Sequence, residues 1–296
     1  MKILGYPCKT EHPTAVALGR FDGVHLAHKA VISCAVNNLE GLVPAVFTFS
    51  DNPGKAPHGE LTTQSEKAEQ IANCKVELLV SCLFDTVRNL SAEEFVQKVL
   101  CEALNAKAVS CGYNYRFGKG ACADVNTLRT LCEQRGISVT CTEEYIAGGM
   151  SVSSTAIRTL LTKGDVSTAA ALLGRNYSLK GEIIHGNALG RTIETPTLNI
   201  GVSTEKQLPL FGVYATLATI DGTTYKSVTN LGLKPTVGSD SPTVETHLLD
   251  AKGDFYAKDA EIELIGFIRP EQKFSSLEEL KAVICGDIEK AKALLS

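Results

Sequence analysis

Tryptophan is absent from this chain, and so are membrane-length apolar runs, C-x-x-C pairs and an excess of positive charge. The longest apolar run, near 78–84, is far shorter than the roughly 20 residues of a membrane-spanning helix. The net charge of −4 argues against nonspecific nucleic-acid binding, which requires a basic surface. Because the first residues also lack the apolar core of a signal peptide, we expect a cytoplasmic protein with no membrane or nucleic-acid partner.

Two site classes are also missing. None of the 10 cysteines stands with a histidine at zinc-ligand spacing, so we expect no structural metal. Nine of them lie at or before Cys141, and all ten are interpreted as reduced core residues. No G-x-x-x-x-G-K-[ST] segment occurs, which excludes a P-loop nucleotide site.

The length of 296 residues suits two domains. The first part alternates short apolar runs with helical segments, which predicts an α/β, Rossmann-like domain with a parallel sheet and helices on both faces. In such sheets ligands bind beyond the carboxyl ends of the strands. Strands are predicted at 16–18, 45–49, 77–82, 106–111 and 137–141, and helices at 29–38, 64–73, 92–104, 125–135, 156–161 and 166–173.

The pattern changes after the connector 174–178. Short strands separated by turns such as 221–222 predict a small antiparallel β-barrel or meander, followed by a closing helix at 277–295 interrupted near Gly286. We therefore expect domains at 1–178 and 179–296. The predicted barrel strands are 182–184, 197–201, 213–220, 224–230, 244–249 and 261–267.

Three segments of the first domain suit phosphate chemistry. His25 and His28 follow the first buried strand and open a helix, where imidazole donors and a helix N-terminus stabilise charge on a transferred phosphate. Asn114 and Arg116 follow a later strand, although an aromatic corner there could be purely structural. In residues 153–158, S-S-T-A-I-R, the serines and the threonine are N-cap candidates for a helix in any case. Together with Arg158, the helix N-terminus also forms an anion site.

Two segments of the second domain suit a kinase. Glycines in 186–190 permit close approach to phosphates, while Thr197 and Asn199 are oxygen ligands on one face, as Mg²⁺ prefers. A glycine-rich hairpin is the plainer interpretation of the same residues. Glu245 lies on a predicted strand and is a candidate general base, although a surface-facing glutamate is the ordinary explanation.

Read together, these segments resemble known signatures. H-G-x-x-x-G-R followed by P-T-x-N, at 185–199, resembles the flavokinase signature of riboflavin kinases. F-D-G-x-H-x-x-H at 21–28, G-x-N-Y-x-F-G at 112–118 and S-S-T-x-I-R at 153–158 resemble the FMN adenylyltransferase module. Over nearly its whole length the chain resembles the bifunctional riboflavin kinase/FMN adenylyltransferases, with the motifs in the expected order.

The resemblance implies two activities that use ATP and Mg²⁺, with riboflavin, FMN and FAD as substrates and products. It implies Glu245 as base in the barrel and His25, His28 and Arg158 as catalytic groups in the first domain. Asn52 and Phe274 are weaker candidates for flavin contact, and Thr197 and Asn199 would hold Mg²⁺. The residues implied at nucleotide or phosphate are Gly19, Phe21, Asp22, Gly23, Asn114, Arg116, Ser153, Ser154, Thr155, Gly186, Gly190, Arg191, Thr197 and Asn199.

Three positions depart from the family patterns. Ala27 replaces the glycine of H-x-G-H, Asn52 replaces a histidine, and Lys234 replaces an arginine. The first two leave open a riboflavin kinase whose first domain is only a flavin- or nucleotide-binding module. A third possibility is an adenylyltransferase for another phosphorylated substrate, against which the flavokinase segment argues. The sequence does not indicate an oligomeric state.

Overall fold

The computed structural model of the protein describes residues 1–38, 41–51, 59–184, 197–236, 239–249, 251 and 255–296. These residues form two compact units, Met1–Ser154 and Thr155–Ser296. The division falls before the boundary expected at 178, whose position stays a prediction. No helix in the described ranges combines the length and apolarity needed to cross a membrane.

The first unit contains a six-stranded parallel sheet, as expected from the alternating pattern. Its strand order is β1-β4-β3-β2-β5-β6, and β2 at the centre is buried at every residue because both faces are covered. The strands are β1 Lys2–Gly5, β2 Thr14–Leu18, β3 Val43–Phe49, β4 Leu78–Cys82, β5 Ala106–Gly112 and β6 Ser138–Thr142.

Helices cover both faces of this sheet. Alternate residues of β2 serve the two cores: Ala15 and Ala17 pack with α1, whereas Val16 and Leu18 pack with the helical segment after residue 91. The predicted helix at 92–104 is α-helical only at its start and continues as a π-helical stretch, Phe95–Ala103. The α-helices are α1 Leu26–Val36, α2 Gln64–Asn73, α3 Phe84–Val87, α4 Ala92–Glu94 and α5 Val125–Glu133.

Several short elements were not predicted. Strand β1 pairs with β4 at the sheet edge and is largely exposed, so its four residues carry no buried apolar pattern. Helix α3 has only four residues. A two-stranded hairpin, β7 Ile146–Ala147 and β8 Met150–Ser151, turns through two glycines with positive φ.

The second unit contains the predicted antiparallel barrel and closing helix. The closed strand order is β10-β13-β12-β11-β14-β9, and helices α6 Ser154–Thr162 and α7 Val166–Leu173 precede it in the chain. Its other elements are β9 Tyr177–Ile184, β10 Leu198–Val202, β11 Gly212–Ile220, β12 Thr223–Thr236, β13 Ser239–Leu248, β14 Asp259–Pro270 and α8 Leu277–Leu294.

Two predictions about this unit were wrong in detail. Helix α8 runs through Gly286 without interruption, since a single glycine costs a helix only about 1 kcal/mol and nothing crowds this one. Strand β9 begins at Tyr177, inside the segment expected to be a connector, because Tyr177 is buried and paired with Leu264.

A chain of buried hydroxyl groups links three barrel strands. Thr216 Oγ1 lies 2.8 Å from both Ser227 Oγ and Thr229 Oγ1, and Thr229 Oγ1 lies 2.9 Å from Thr246 Oγ1. All four side chains are fully buried, so each hydroxyl needs a partner in the interior. We call these four residues the hydroxyl chain; it ties β11, β12 and β13 together from inside the barrel.

An ion pair anchors helix α8 to the barrel. Arg269 Nε and Nη2 lie 2.9 and 2.8 Å from Asp287 Oδ2, and the Asp287 side chain is 4% exposed. The Arg269 guanidinium also lies over the Phe274 ring, 5.7 Å from its centre. Ser276 caps the helix by accepting from the Glu279 amide at 3.2 Å.

All ten cysteines are free thiols, as a reduced state requires. Cys82, Cys111 and Cys132 are buried, and burial raises their thiol pKa to about 12. Cys122 and Cys285 are exposed, so the expectation of core residues was wrong for these two.

We expect Asp287→Ala to destabilise the second unit by about 3 kcal/mol, because it leaves the largely buried Arg269 without its carboxylate partner. Glu289→Ala is the matched control, since it removes an exposed ion pair with Lys292 on the same helix and should cost less than about 1 kcal/mol. Urea unfolding followed by circular dichroism measures both. Equal losses from the two variants would contradict an anchoring role for the Arg269 pair.

Candidate functional site

The carboxyl ends of β2 and β5 form the switch point of the parallel sheet. From β2 the chain moves to β3 and β4 on one side, whereas β5 and β6 lie on the other. The register pairs Ala17 of β2 with Ser110 of β5. Because ligands of open α/β sheets bind in the crevice beyond such a point, the segments after β2 and β5 border one candidate site.

The turn after β2 has a constrained backbone. Phe21, Gly23 and Val24 have positive φ angles of 53°, 84° and 41°, which phenylalanine and valine adopt only under tight constraint. A Cβ at Gly19 would lie 2.9 Å from Cζ of the Phe21 ring, so this position requires glycine. These three predicted nucleotide-binding residues, Gly19, Phe21 and Gly23, therefore shape the turn; their contact with nucleotide stays a prediction.

Asp22 ties this turn to two other segments. Its Oδ1 accepts hydrogen bonds from the backbone amides of Leu61 at 2.9 Å and Thr62 at 3.3 Å. The Gly23 amide donates to Thr62 Oγ1 at 3.1 Å, and Ser154 Oγ donates to the Asp22 carbonyl at 2.9 Å. The carboxylate is thus engaged within the protein, and it positions the turn that precedes α1.

His25 and His28 stack on each other at the start of α1. Their ring centres are 3.5 Å apart with an interplanar angle of 14°, and Phe21 packs edge-on against His28 at 5.3 Å. His25 is the N-cap residue, and its Nδ1 accepts from the His28 amide at 3.3 Å. Because Nδ1 accepts, the proton of neutral His25 resides on Nε2, which is therefore a hydrogen-bond donor.

Burial determines the charge state of His28. Its pKa lies well below the ordinary value of 6.5, first because of burial and then because of the nearby charges of His25 and Lys67. His28 Nδ1 is buried and, among the described residues, has no hydrogen-bond partner. A buried imidazole nitrogen in this state is ready to hydrogen-bond a ligand without bringing a full charge.

The loop after β5 forms a second wall with its own cavity of about 350 Å³. Asn114 and Arg116, both predicted site residues, line it and are exposed. Asp124 caps α5, and the Thr127 amide is the main reason that its carboxyl pKa is lowered, with Arg116 contributing. Arg129 also lines the cavity and was missed, because on α5 it has the pattern of an ordinary surface arginine. The lining residues are Tyr113, Asn114, Tyr115, Arg116, Asp124, Val125, Asn126, Arg129 and Cys141.

Helix α6 begins within the predicted phosphate motif. Ser154 is its first residue and contacts the turn after β2 through Asp22. Ser153 precedes the helix, Thr155 lies in its first turn and Arg158 begins the second turn. Ser154 and Arg158 are four residues apart, so they share one face of the helix. The division into compact units falls between Ser154 and Thr155.

The barrel brings Glu245 beside two asparagines. Its direct cross-strand partners are Asn199 on β10 and Asn230 on β12. Opposite residues on paired strands point to the same face with Cβ atoms about 5 Å apart. The neighbouring Thr246 belongs to the buried hydroxyl chain, so Glu245 and both asparagines face outward, where all three are partly exposed. Asn230 was not predicted as a site residue, although it begins the segment N-L-G-L-K-P-T at 230–236.

The oxygen atoms in this row are suited to a hard cation. Asn199 contributes an amide oxygen, Glu245 a carboxylate, and Thr197, which lies just before β10, a hydroxyl. Mg²⁺ prefers oxygen ligands of these types together with phosphate oxygens and water. The donor set therefore fits a magnesium–nucleotide complex.

Several predicted residues lie outside the described residues, namely Asn52, Gly186, Gly190 and Arg191. Phe274 is described and partly buried, and its ring contacts Arg269, the residue that anchors α8. This contact gives Phe274 a structural role, and its predicted contact with flavin stays a prediction.

Two family models match the chain. The first, described as FAD synthetase, covers residues 8–156, and the second, described as riboflavin kinase, covers residues 173–295. A solved structure described as a macrolide-efflux protein from Streptococcus pneumoniae has a TM-score of 0.90 and 26% sequence identity, over 98% of each chain. The efflux description belongs to that protein, and the similarity extends over both units of this chain.

Curated relatives have the same domain combination in their names. The Listeria monocytogenes protein named bifunctional riboflavin kinase/FMN adenylyltransferase is 34% identical to this chain. The alignment covers 99% of this chain and 97% of the relative. The Bacillus subtilis protein of that name is 35% identical over 94% of this chain and 91% of its own length. The Escherichia coli protein is 34% identical over 92% and 90%.

We expect wild-type stability to fall relative to His28→Gln as the pH drops below about 6.5. The unfolded chain binds a proton at His28 near that pH, whereas burial keeps the folded pKa well below it, so acidification favours the unfolded state. The difference should change by at most about 1.4 kcal/mol per pH unit. Urea unfolding of both proteins across this range measures it, with His12→Gln at an exposed position as control. A pH-independent difference would show that His28 is not kept neutral.

Proposed function

The chain belongs to the family of bifunctional riboflavin kinase/FMN adenylyltransferases, and from this membership we propose how its residues divide the two reactions. The enzyme phosphorylates riboflavin to FMN with ATP, and it adenylylates FMN to FAD with release of pyrophosphate. The observation that carries our division is the cross-strand placement of Glu245 beside Asn199 in the barrel, which gives the barrel a base next to oxygen ligands.

We assign the kinase step to the outward face of β10 and β13. A ribityl hydroxyl must lose its proton as its oxygen attacks the γ-phosphate, and Glu245 is the carboxylate that takes this proton. The new bond joins the ribityl oxygen to phosphorus, and ADP leaves. Asn230, on the other side of Glu245, is placed to orient the carboxylate or the flavin side chain.

Thr197 and Asn199 would hold the Mg²⁺ that accompanies the nucleotide. When bound, the ion neutralises charge on the phosphates during transfer. We also assign phosphate contacts to Gly186, Gly190 and Arg191. This part of the assignment rests on the family signature alone.

We assign adenylyl transfer to the turn after β2. The phosphate oxygen of FMN is already ionised, so this reaction needs no base and depends on positioning and charge stabilisation. His25 donates from Nε2, and His28 together with the N-terminus of α1 adds further dipoles directed at the α-phosphate. Neutral hydrogen-bond donors suit this role because they stabilise the negative charge that develops on the phosphates through their dipoles, with no charge of their own to lose.

The remaining predicted contacts belong to ATP. Ser153, Ser154, Thr155 and Arg158 are assigned to the β- and γ-phosphates, because a helix N-terminus followed by arginine is an anion site. Asn114 and Arg116 are assigned to the nucleotide on the β5 side of the crevice. The carboxylate of Asp22 is given a positioning role, since its Oδ1 already accepts two amides.

Ala27 is compatible with the local fold. It lies in the first turn of α1, where the backbone is helical and alanine is the most favourable residue. The family glycine at this position is therefore not needed for the helix. Both activities are assigned to this chain, in preference to a kinase with an inactive first domain, because both family models match and the relatives carry both activities in their names.

We also propose that the enzyme works in the cytoplasm, with small-molecule partners only. Its ten free thiols suit a reducing compartment. Chromatography of flavins after incubation with ATP and Mg²⁺, started in parallel from riboflavin and from FMN, tests the two activities. FAD from both reactions supports the assignment, whereas products that stop at FMN would contradict the adenylyltransferase half.

We expect Glu245→Gln to lower the rate of FMN formation by about 10²- to 10⁴-fold, the usual contribution of a general base. FAD formation from supplied FMN should stay within about twofold of wild type, because that step uses no base. Glu261→Gln is the control, since it changes an outward-facing carboxylate of the same barrel that pairs with Lys180. Loss of both activities in the Glu245 variant would refute the division of labour.

We expect Arg158→Met to lower kcat/KM for ATP in FAD formation by about 10-fold or more, because one charged hydrogen bond to phosphate is lost. Riboflavin phosphorylation by the same preparation should be unaffected. Lys163→Met removes an exposed cation just beyond the same helix and serves as control. An unchanged kcat/KM for ATP would remove Arg158 from the phosphate site.

A further inference from the structure

Helix α2 carries a lysine whose charge is buried. The helix begins with a capping box between Thr63 and Glu66, and Lys67 is the next residue, only 3% exposed. Its side chain reaches the carboxyl end of β3, where Nζ donates to the carbonyl of Phe49 at 2.7 Å. The ammonium group therefore lies at the edge of the sheet where ligands of parallel sheets bind.

The bonds that Lys67 makes do not satisfy its ammonium group. An ammonium has three donors, and burying it without an anion is costly. Within the described part of the chain, Nζ makes the one hydrogen bond to Phe49 and no ion pair. Burial accordingly lowers the pKa of Lys67, while the more distant charges of Glu60 and Asp22 oppose this shift.

The acidic groups around Lys67 are committed to other partners. Glu60 Oε1 lies 3.5 Å from the Arg20 guanidinium. Asp22 Oδ1 accepts two backbone amides, and Asp51 Oδ1 accepts the first amide of α3 at 2.9 Å. These carboxylates lower the cost of the buried charge without pairing with it, and they leave donors of Lys67 for an incoming anion.

The position of Lys67 indicates which anion this is. Strands β3 and β5 flank β2 on opposite sides, so Lys67 and the nucleotide cavity at Asn114 lie on opposite sides of the histidine turn. Lys67 is also close enough to His28 for its charge to act on that imidazole. With adenylyl transfer assigned to this turn and the nucleotide to the β5 side, the side of the turn that holds Lys67 is left for the attacking group.

We propose that Lys67 binds the phosphate of FMN and holds it for attack on the α-phosphate of ATP. This inference relies on the assignment of adenylyl transfer to His25 and His28. A phosphate oxygen of FMN forms the new bond to the α-phosphorus, and the bond from that phosphorus to the bridging oxygen breaks. Pyrophosphate leaves with the electron pair. No proton moves, and Lys67 remains protonated while it offsets the repulsion between two anionic substrates.

The same residue distinguishes FMN from riboflavin. Riboflavin ends in a neutral hydroxyl, which can accept one hydrogen bond from the ammonium but brings no negative charge, so its binding would leave the buried charge uncompensated. FMN supplies two or more phosphate oxygens to that group. Lys67 thereby restricts this site to the product of the kinase reaction.

Lys67→Met in the full-length enzyme tests the proposal. We expect KM for FMN in FAD formation to rise about 10- to 100-fold, the range for losing a charged hydrogen bond, while KM for ATP changes less than about twofold. Riboflavin phosphorylation by the same preparation should match wild type. Lys107→Met removes an exposed lysine of β5 and is the matched control.

The result that overturns the proposal is an unchanged KM for FMN, or an equal rise in KM for ATP. A fall in kcat alone would also overturn it, since that pattern reports a structural role. If Lys67→Met does not fold, Lys67→Gln, which also removes the charge but keeps a polar side chain, replaces it, with the same expected rise in KM for FMN and the same overturning results.

Failure of this proposal can be separated from failure of the functional assignment. If wild-type enzyme makes no FAD from FMN, the adenylyltransferase assignment itself is wrong. If wild-type makes FAD, His28→Ala abolishes it and Lys67→Met leaves both KM values unchanged, only the role of Lys67 is wrong.

Discussion

The first unit depends on the hydrogen bonds of Asp22. Its carboxylate accepts the amides of Leu61 and Thr62, and its carbonyl accepts the hydroxyl of Ser154. One buried residue therefore fixes three segments that are distant in sequence, and it keeps Phe21 and Val24 in a backbone region they would otherwise avoid. The stacked histidines are placed by this turn. Their chemistry thus depends on a side chain that is assigned no contact with phosphate.

The two reactions require different groups, and the two units differ accordingly. A neutral hydroxyl must lose its proton as it attacks phosphorus, and the barrel face that we propose for this step carries a carboxylate beside two asparagines. An ionised phosphate attacks without help from a base, and the turn that we propose for that step carries two imidazoles at a helix N-terminus in a largely buried setting. The low pKa of His28 follows from the same burial that would strengthen a hydrogen bond between its imidazole and a ligand.

Much of the fold could be predicted from the sequence because it rests on local periodicity. The buried strands, the helices between them and the change to short strands were all visible in that way. Strand β1 was missed because an exposed edge strand of four residues has no apolar pattern. The interruption near Gly286 was wrong because packing and helix length outweigh one glycine.

The site was less predictable, because proximity depends on pairing between distant strands. Nothing in the residues around Glu245 indicates that Asn199 and Asn230 lie opposite it; that follows only from the barrel register. Lys67 was missed for a related reason. In sequence it follows Glu66 on a polar helix and has the pattern of a solvated lysine, whereas in three dimensions it reaches β3. The other site residues were predicted through resemblance to the family signatures, and their roles stay predictions.

The hydroxyl chain inside the barrel constrains how this protein can diverge. Thr216 and Thr229 each contact two hydroxyls, whereas Thr246 contacts only Thr229, so replacing Thr229 by the isosteric valine would leave Thr246 without its hydroxyl partner in a buried interior. A change at Thr229 therefore favours a compensating change at Thr246. Thr246 adjoins Glu245, so a shift of β13 in register would break the chain and displace the carboxylate together. Selection on interior packing and selection on the outward-facing chemistry therefore act on the same strand register.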